Sequence, residues 1–345
     1  MKRFFLFLTV FLCGAAFALL GMAFILRLQE EDMPFEPATA CHAVWLAHDW
    51  IEEEQTDVDI QALADRLRDA GVTCVYLHTT PLNADGSLDT TRAQYLVPFV
   101  TAIKEKYPKL TLYAWMGILT DRYDSPSIGT KFYLSDYPTM RAIRATALEL
   151  VDSYGLDGVH LDIEPVLSGS AEYLVTLASL HDTLNNRGKK LSVAVTFIAD
   201  AKRQEKYHAE GKEFLWSWEP KYYETVGLYC DQIVIMAYNI GSLNVDSYQQ
   251  LLLEQLAAVQ PARKQGAAVL IGLPAYDFRY ADAENLAAGL EAVELGHAQG
   301  LLSDGVSVYA EWTMDDQEWK VLTSFIDKER AGLLPVSPPL SPPLR

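Results

Sequence analysis

Basic side chains are scarce. Only 28 Lys and Arg stand against 46 Asp and Glu in 345 residues, a formal net charge of −18. A surface of that sign argues against nucleic acid and anionic lipid headgroups as main partners, because both are held by a basic face. Cysteine is scarce too. Four in the whole chain exclude a scaffold built from disulfides, and Cys41, Cys74 and Cys230 allow one bridge at most. There is no Cys-x-x-Cys pair and no Cys/His cluster at metal spacing, so no metal is expected. There is no Gly-x-Gly-x-x-Gly loop, which removes the usual dinucleotide site, and no cofactor is expected. Apolar residues, by contrast, make up 50% of the chain and charged ones 21%, the balance of a chain that buries a core.

The two ends differ from the middle. Lys2 and Arg3 precede an uncharged stretch, Phe4 to Leu26. As a helix it would be ~35 Å long, enough to span a bilayer. The positive flank lies at the N-terminus, so the rest of the chain is expected outside the cytoplasm. Residues 1–30 therefore read as a membrane anchor, or as a cleaved signal peptide with Ala16-Phe17-Ala18 as the cleavage site. At the other end, residues 329–345 finish in Pro-Val-Ser-Pro-Pro-Leu-Ser-Pro-Pro-Leu-Arg, which continues neither a helix nor a central strand and reads as a disordered tail.

Between them, over 41–328, eight short apolar runs recur. They are Ala43–His48, Thr73–His78, Thr111–Met116, Gly158–Ile163, Ser192–Phe197, Gln232–Tyr238, Ala268–Pro274 and Gly305–Ala310. Most are nearly continuous, as strands covered on both faces should be. Helical stripes lie between them, such as Ile60, Leu63 and Leu67 closed by Gly71, and Leu174, Leu177, Leu180 and Leu184 ended by Gly188. Eight βα units at 30- to 47-residue spacing predict a (β/α)8 barrel, one domain with its site at the C-terminal ends of the strands. A doubly wound open sheet fits the regular spacing less well.

The residues ending each run are rich in carboxylates and aromatics, and the fourth run is the sharpest. In Asp157-Gly158-Val159-His160-Leu161-Asp162-Ile163-Glu164 the strand period of two sends Val159, Leu161 and Ile163 outward. His160, Asp162 and Glu164 then point into the barrel. Two inward carboxylates are costly to bury unless paired or catalytic. The charge on Asp162 should raise the proton affinity of Glu164, as a general acid near neutral pH requires. A structural layer of mutually bonded polar groups explains one such residue well and three in alternation poorly. Both carboxylates sit on one strand, so they do not flank a sugar ring as a nucleophile and an acid do. That favours assistance from an N-acetyl group of the substrate.

Here the chain resembles glycoside hydrolase family 18, the chitinases and endo-β-N-acetylglucosaminidases. The fourth-strand motif of that family reads Asp-Gly-x-Asp-x-Asp-x-Glu, and residues 157–164 match it except at His160. A Met-x-Tyr-Asp/Asn motif ends its sixth strand, as Met236-Ala237-Tyr238-Asn239 does here. A Trp past the eighth strand floors its sugar subsite, and Trp312 has that place. The resemblance implies retaining hydrolysis of glycans containing β-linked N-acetylhexosamine. It makes Glu164 the acid, Asp162 the partner of the acetamide nitrogen and Tyr238 the donor to the acetamide carbonyl. Two departures stand out. His160 replaces an Asp that shares a proton with the next one; a neutral imidazole there can still bond Asp162, and a protonated one would lower its pKa. Trp115 stands where the family has a Ser-x-Gly-Gly pattern.

Around these catalytic residues, His160, Asn239, Trp312, Trp115, Glu311, Tyr276 and His78 are candidates for contact with an oligosaccharide or polysaccharide. His48 with Asp49 reads better as a polar rim than as a metal pair. Trp216 and Trp218, in the insertion 200–223, are either a sugar-stacking lid or packing for that insertion. A membrane-tethered monomeric glycosidase is the expected protein. A sugar-binding barrel without activity, and a glycosidase on a non-acetylated sugar, are the alternatives. Retention of Glu164 favours an enzyme.

Overall fold

The computed structural model of the chain describes residues 39–79, 82–122, 131–198, 205, 209, 217–276 and 280–335. The expected anchor, Trp216 and most of the proline-rich tail lie outside the described residues. Among the described residues no helix is long and apolar enough to cross a membrane.

The strands are β1 (Ala43–Leu46), β2 (Cys74–His78), β3 (Thr111–Thr120), β4 (Lys131–Phe132), β5 (Gly158–Glu164), β6 (Lys190–Val195), β7 (Gln232–Met236), β8 (Ala268–Pro274) and β9 (Val306–Tyr309). The helices are α1 (Asp49–Glu52), α2 (Asp57–Ala70), α3 (Leu96–Lys106), α4 (Tyr137–Asp152), α5 (Ala171–Asn185), α6 (Pro220–Val226), α7 (Val245–Lys264), α8 (Leu286–Ala298) and α9 (Asp316–Arg330). Each strand pairs in parallel with its neighbours, and β9 closes on β1. Two-residue β4 only lengthens the edge of β3. The eight expected runs are thus the eight strands of a closed (β/α)8 barrel. The third is longer than its apolar run, because β3 continues beside β5 as far as Leu119 opposite Glu164.

Two cores follow from the strand alternation. Outward residues such as Val44, Leu77, Val159, Leu161 and Ile233 meet the helices in the larger one. Inward Trp45, Tyr76, Tyr113, Val234 and Leu270 fill the barrel. Helix α2 shows why the outer layer forms where it does. Thr56 caps its first turn by accepting from Asp59 N, Ile60, Leu63 and Leu67 are buried, and Gly71 ends it at φ +81°.

The base of the barrel is held by a device used three times. Asp157, Asp231 and Asp304 each donate a backbone N–H to a carbonyl of the preceding strand, on Leu112, Leu191 and Val269. The side chain of each then accepts the N–H of that same residue. A cation neutralises each carboxylate: Lys104 on Asp157, Lys190 on Asp231, and Arg263 on Asp304 through two bonds of 2.8 Å. The first Asp of the fourth-run motif is therefore a structural clamp. Its glycine is steric. A Cβ on Gly158 would lie 2.5 Å from Lys190 O and 2.7 Å from the Tyr113 ring. Cys41 and Cys74 form a disulfide, and Cys230 is a buried free thiol.

Candidate active site

At the C-terminal mouth inward residues of β3, β5 and β9 meet the segments leaving β7 and β8. Asp162 is buried and Glu164 is partly exposed at the end of β5. Burial, and then the Asp162 charge beside it, hold the Glu164 carboxyl well above the usual carboxylate range. Burial thus outranks the like charge named from sequence. Burial also raises Asp162, opposed by a hydrogen bond from Trp115. That bond runs from indole Nε1 to Oδ2 at 2.9 Å. Trp115 lies opposite His160 in the β3–β5 register and Gly117 lies opposite Asp162. The indole therefore leans over a position without a side chain to reach the carboxylate. The large Trp on the third strand, which departs from the family pattern, is part of the site.

Tyr238 follows β7 and feels both carboxylates, which with burial and Tyr309 keep its phenol protonated far above neutral pH. Its ring stacks on Tyr309 at 5.4 Å between centroids and 17° between planes, while Tyr276 meets both rings edge-on. The backbone around Tyr238 is pinned. Tyr248 Oη donates to Ala237 O at 2.8 Å. The fully buried Glu284 accepts from Ile240 N, Gly241 N and Ser242 N at 3.0, 2.7 and 2.6 Å, fixing the turn that Asn239 enters at φ +54°. Glu284→Ala leaves three N–H groups of a buried turn without their acceptor. We expect a loss of about 3 kcal/mol in the urea unfolding free energy, with turnover falling because Tyr238 is no longer fixed.

Several expected residues stand elsewhere. His160 points inward and is fully buried, but it does not bond Asp162. Its Nδ1 lies 2.7 Å from Ser192 Oγ, which donates to Gln232 Oε1 at 2.5 Å, and Tyr76 Oη donates to the same oxygen at 2.8 Å. Gln232 Nε2 donates to Thr39 O, which fixes the amide. Ser192 has spent its proton, so Nδ1 must be the protonated nitrogen of His160. The ring stacks on Tyr76 at 3.8 Å, and burial pushes its pKa well below the ordinary value, so it is a neutral core imidazole. Trp312 lies in a 3-10 turn at the rim, 45% exposed and edge-on to Tyr309. On the eighth barrel strand, Tyr309 is an aromatic that feels both carboxylates. Alternation along the eighth run places Ser307 and Tyr309 inward, a signal that was present in the sequence.

Glu311 turns away from the pair. It accepts from Trp50 near Arg66, and burial raises its pKa. His78 lies behind Trp115 at 4.3 Å between rings. Burial, helped by the His48 and Arg92 charges, lowers it to about 4. His48 Nε2 lies 3.2 Å from Asp49, a rim contact. Among the described residues no group of three or more His, Cys, Asp or Glu is arranged to hold a metal. Trp218 is packing: it is 2% exposed, donates to Val166 O at 2.7 Å and meets Tyr173, Tyr222 and Tyr223.

No family model matches the chain, and no curated protein sequence does. Solved structures do. A class V chitinase from Pseudomonas fluorescens shares 16% identity over 83% of this chain and 99% of its own, with a TM-score of 0.56. The spore cortex-lytic enzyme SleL of Bacillus cereus shares 12% over 85% of this chain and 75% of its own, at 0.57. A mutant GH18 chitinase from Cycas revoluta, in complex with (GlcNAc)4, shares 10% over 83% and 99%, at 0.57. At these identities the likeness establishes the fold. The fold these structures share with this chain is the closed (β/α)8 barrel, reached here by a highly divergent sequence.

Proposed function

We propose that this protein is a glycoside hydrolase that cleaves β-linked N-acetylhexosamine-containing glycans with retention, using the acetamide of the substrate as nucleophile. The observation that carries this reading is the pairing of two carboxyls, each raised by burial, beside the protonated Tyr238 at the barrel mouth. Glu164 gives its proton to the glycosidic oxygen as that bond breaks. The acetamide carbonyl oxygen of the sugar on the non-reducing side bonds to the anomeric carbon, forming an oxazoline. Asp162 takes a hydrogen bond from the acetamide N–H, and Tyr238 donates to the carbonyl oxygen. Glutamate at 164 then removes a proton from water, which opens the oxazoline and restores the acid. Two displacements at one carbon retain configuration.

The substrate class is drawn from the neighbours as well as from the site. One binds (GlcNAc)4 and another is a cortex-lytic enzyme, so chitin oligosaccharides and peptidoglycan strands are the first substrates to offer. Purified protein should release a β-anomer first from one of them, visible by proton NMR before mutarotation. An α-anomer, or no cleavage of either glycan or of an N-glycan, would count against the reading.

We also propose that Phe4–Leu26 tethers the barrel outside the cytoplasm. The Cys41–Cys74 disulfide fits an oxidising compartment. The protein should stay in the membrane fraction through a carbonate wash. Recovery of a soluble form starting near Leu19 would show cleavage instead.

A further inference from the structure

Among the described residues, Asp162 has a single hydrogen-bond donor, the indole N–H of Trp115 at 2.9 Å. Its other oxygen, Oδ1, is buried without a partner, and so is Nε2 of His160 two residues earlier. Neither atom donates to the other, because the Nδ1–H of His160 is committed to Ser192 and its Nε2 carries a lone pair. Among the described residues, the groups that face Asp162 are Glu164 and His160 on its own strand, Trp115 on β3, Tyr238 after β7, Tyr309 on β9 and Tyr173 on α5. None of these is a cation. Two carboxyls in such a place cannot both ionise easily, and they titrate as a pair that holds one proton over a range of pH.

We propose that Trp115 decides which carboxyl of this pair carries the proton: its N–H keeps the negative charge on Asp162 and so leaves the proton on Glu164. Trp115 is thus a positioning residue. The proposal rests on the glycosidase reading only for the use made of that proton. The electrostatics have the same sign. Burial raises both carboxyls, and the indole opposes the rise on Asp162 alone. Where the family has an Asp at 160 to share the proton, this chain has a buried neutral imidazole, and the stabilising donor comes from the third barrel strand instead.

The test uses the full chain with Trp115 replaced by 3-benzothienylalanine, which keeps the indole shape and puts sulfur in place of N–H, alongside Trp115→Phe. Two quantities are read: the pH dependence of kcat/KM on 4-methylumbelliferyl N,N′-diacetylchitobioside, and the 13C titration of the Asp162 carboxyl, assigned with Asp162→Asn. Losing one hydrogen bond to a charged group should raise the acid limb and the Asp162 titration together by about one pH unit, with KM little changed. An unchanged Asp162 titration in the sulfur analogue would overturn the proposal, and a shift in Trp115→Phe alone would reduce the residue to packing. A shifted titration in a protein that cleaves no glycan would keep the proton placement and refute the glycosidase reading.

Discussion

Glu164→Gln lowers turnover by ~10²–10⁴-fold while sugar binding is kept. The exchange preserves shape and the ability to accept a hydrogen bond, and it removes the one proton that the leaving oxygen needs. Stopped cleavage of a chitin oligosaccharide beside an unchanged binding isotherm is the expected pair of results. Unchanged turnover would remove Glu164 from the mechanism. The same variant carries a second, independent signature. Burial and the neighbouring Asp162 hold the Glu164 carboxyl above its unfolded value. The folded state then binds the proton more tightly than the unfolded one. Its contribution to stability is fully present below the ordinary carboxylate range and is lost as pH rises through the raised value. Gln carries no such dependence. Thermal unfolding followed against pH should therefore show the variant gaining on the parent as pH rises through that window.

How much of this site could be seen in the chain depends on how far apart its partners lie. The strands were legible because runs covered on both faces are almost wholly apolar. Val159, Leu161 and Ile163 pack outward as period two requires, leaving His160, Asp162 and Glu164 inside. The direction of His160 followed from its own strand. Its partner did not, because Ser192 is brought beside it only by the β5–β6 register. The Trp115–Asp162 bond joins residues 47 apart and depends on an indole crossing over Gly117, which no local pattern encodes. Glu284 was invisible for a similar reason: its partners are backbone N–H groups of a turn 42 to 44 residues earlier, and nothing in a side-chain sequence marks them. Tyr309 differs, since its alternation along the eighth run was available in the sequence. The family resemblance thus marked the carboxylates of the fourth run, where spacing along one strand is the whole signal. On the third barrel strand this chain departs from the family pattern with Trp115, and on the eighth it sets Tyr309 beside the carboxylates.

Tyr238→Phe tests the step that distinguishes this reading from a glycosidase with a protein nucleophile. The phenol is held protonated far above neutral pH by burial, by Tyr309 and by the two carboxylates, so it is a neutral donor throughout the working range. Phe keeps the stack on Tyr309 and deletes only the hydroxyl. The expected loss is ~2–4 kcal/mol of transition-state stabilisation, the scale of one oxyanion-type donor. That corresponds to about 30- to 1,000-fold in kcat/KM. If the hydroxyl acts on an acetamide, the loss depends on the substrate having one. Paired substrates, one N-acetylated and one with a hydroxyl at the same carbon, should differ by orders of magnitude in the parent protein. The difference should shrink in Tyr238→Phe. A thiazoline that mimics the oxazoline should bind the parent far more tightly than the free sugar, because it resembles the transition state, and should lose most of that advantage in the variant. Equal rates on the two substrates would sink substrate assistance. A protein nucleophile would then be required, and Glu311, turned towards Trp50, could serve only after a rearrangement of the 3-10 turn that carries it.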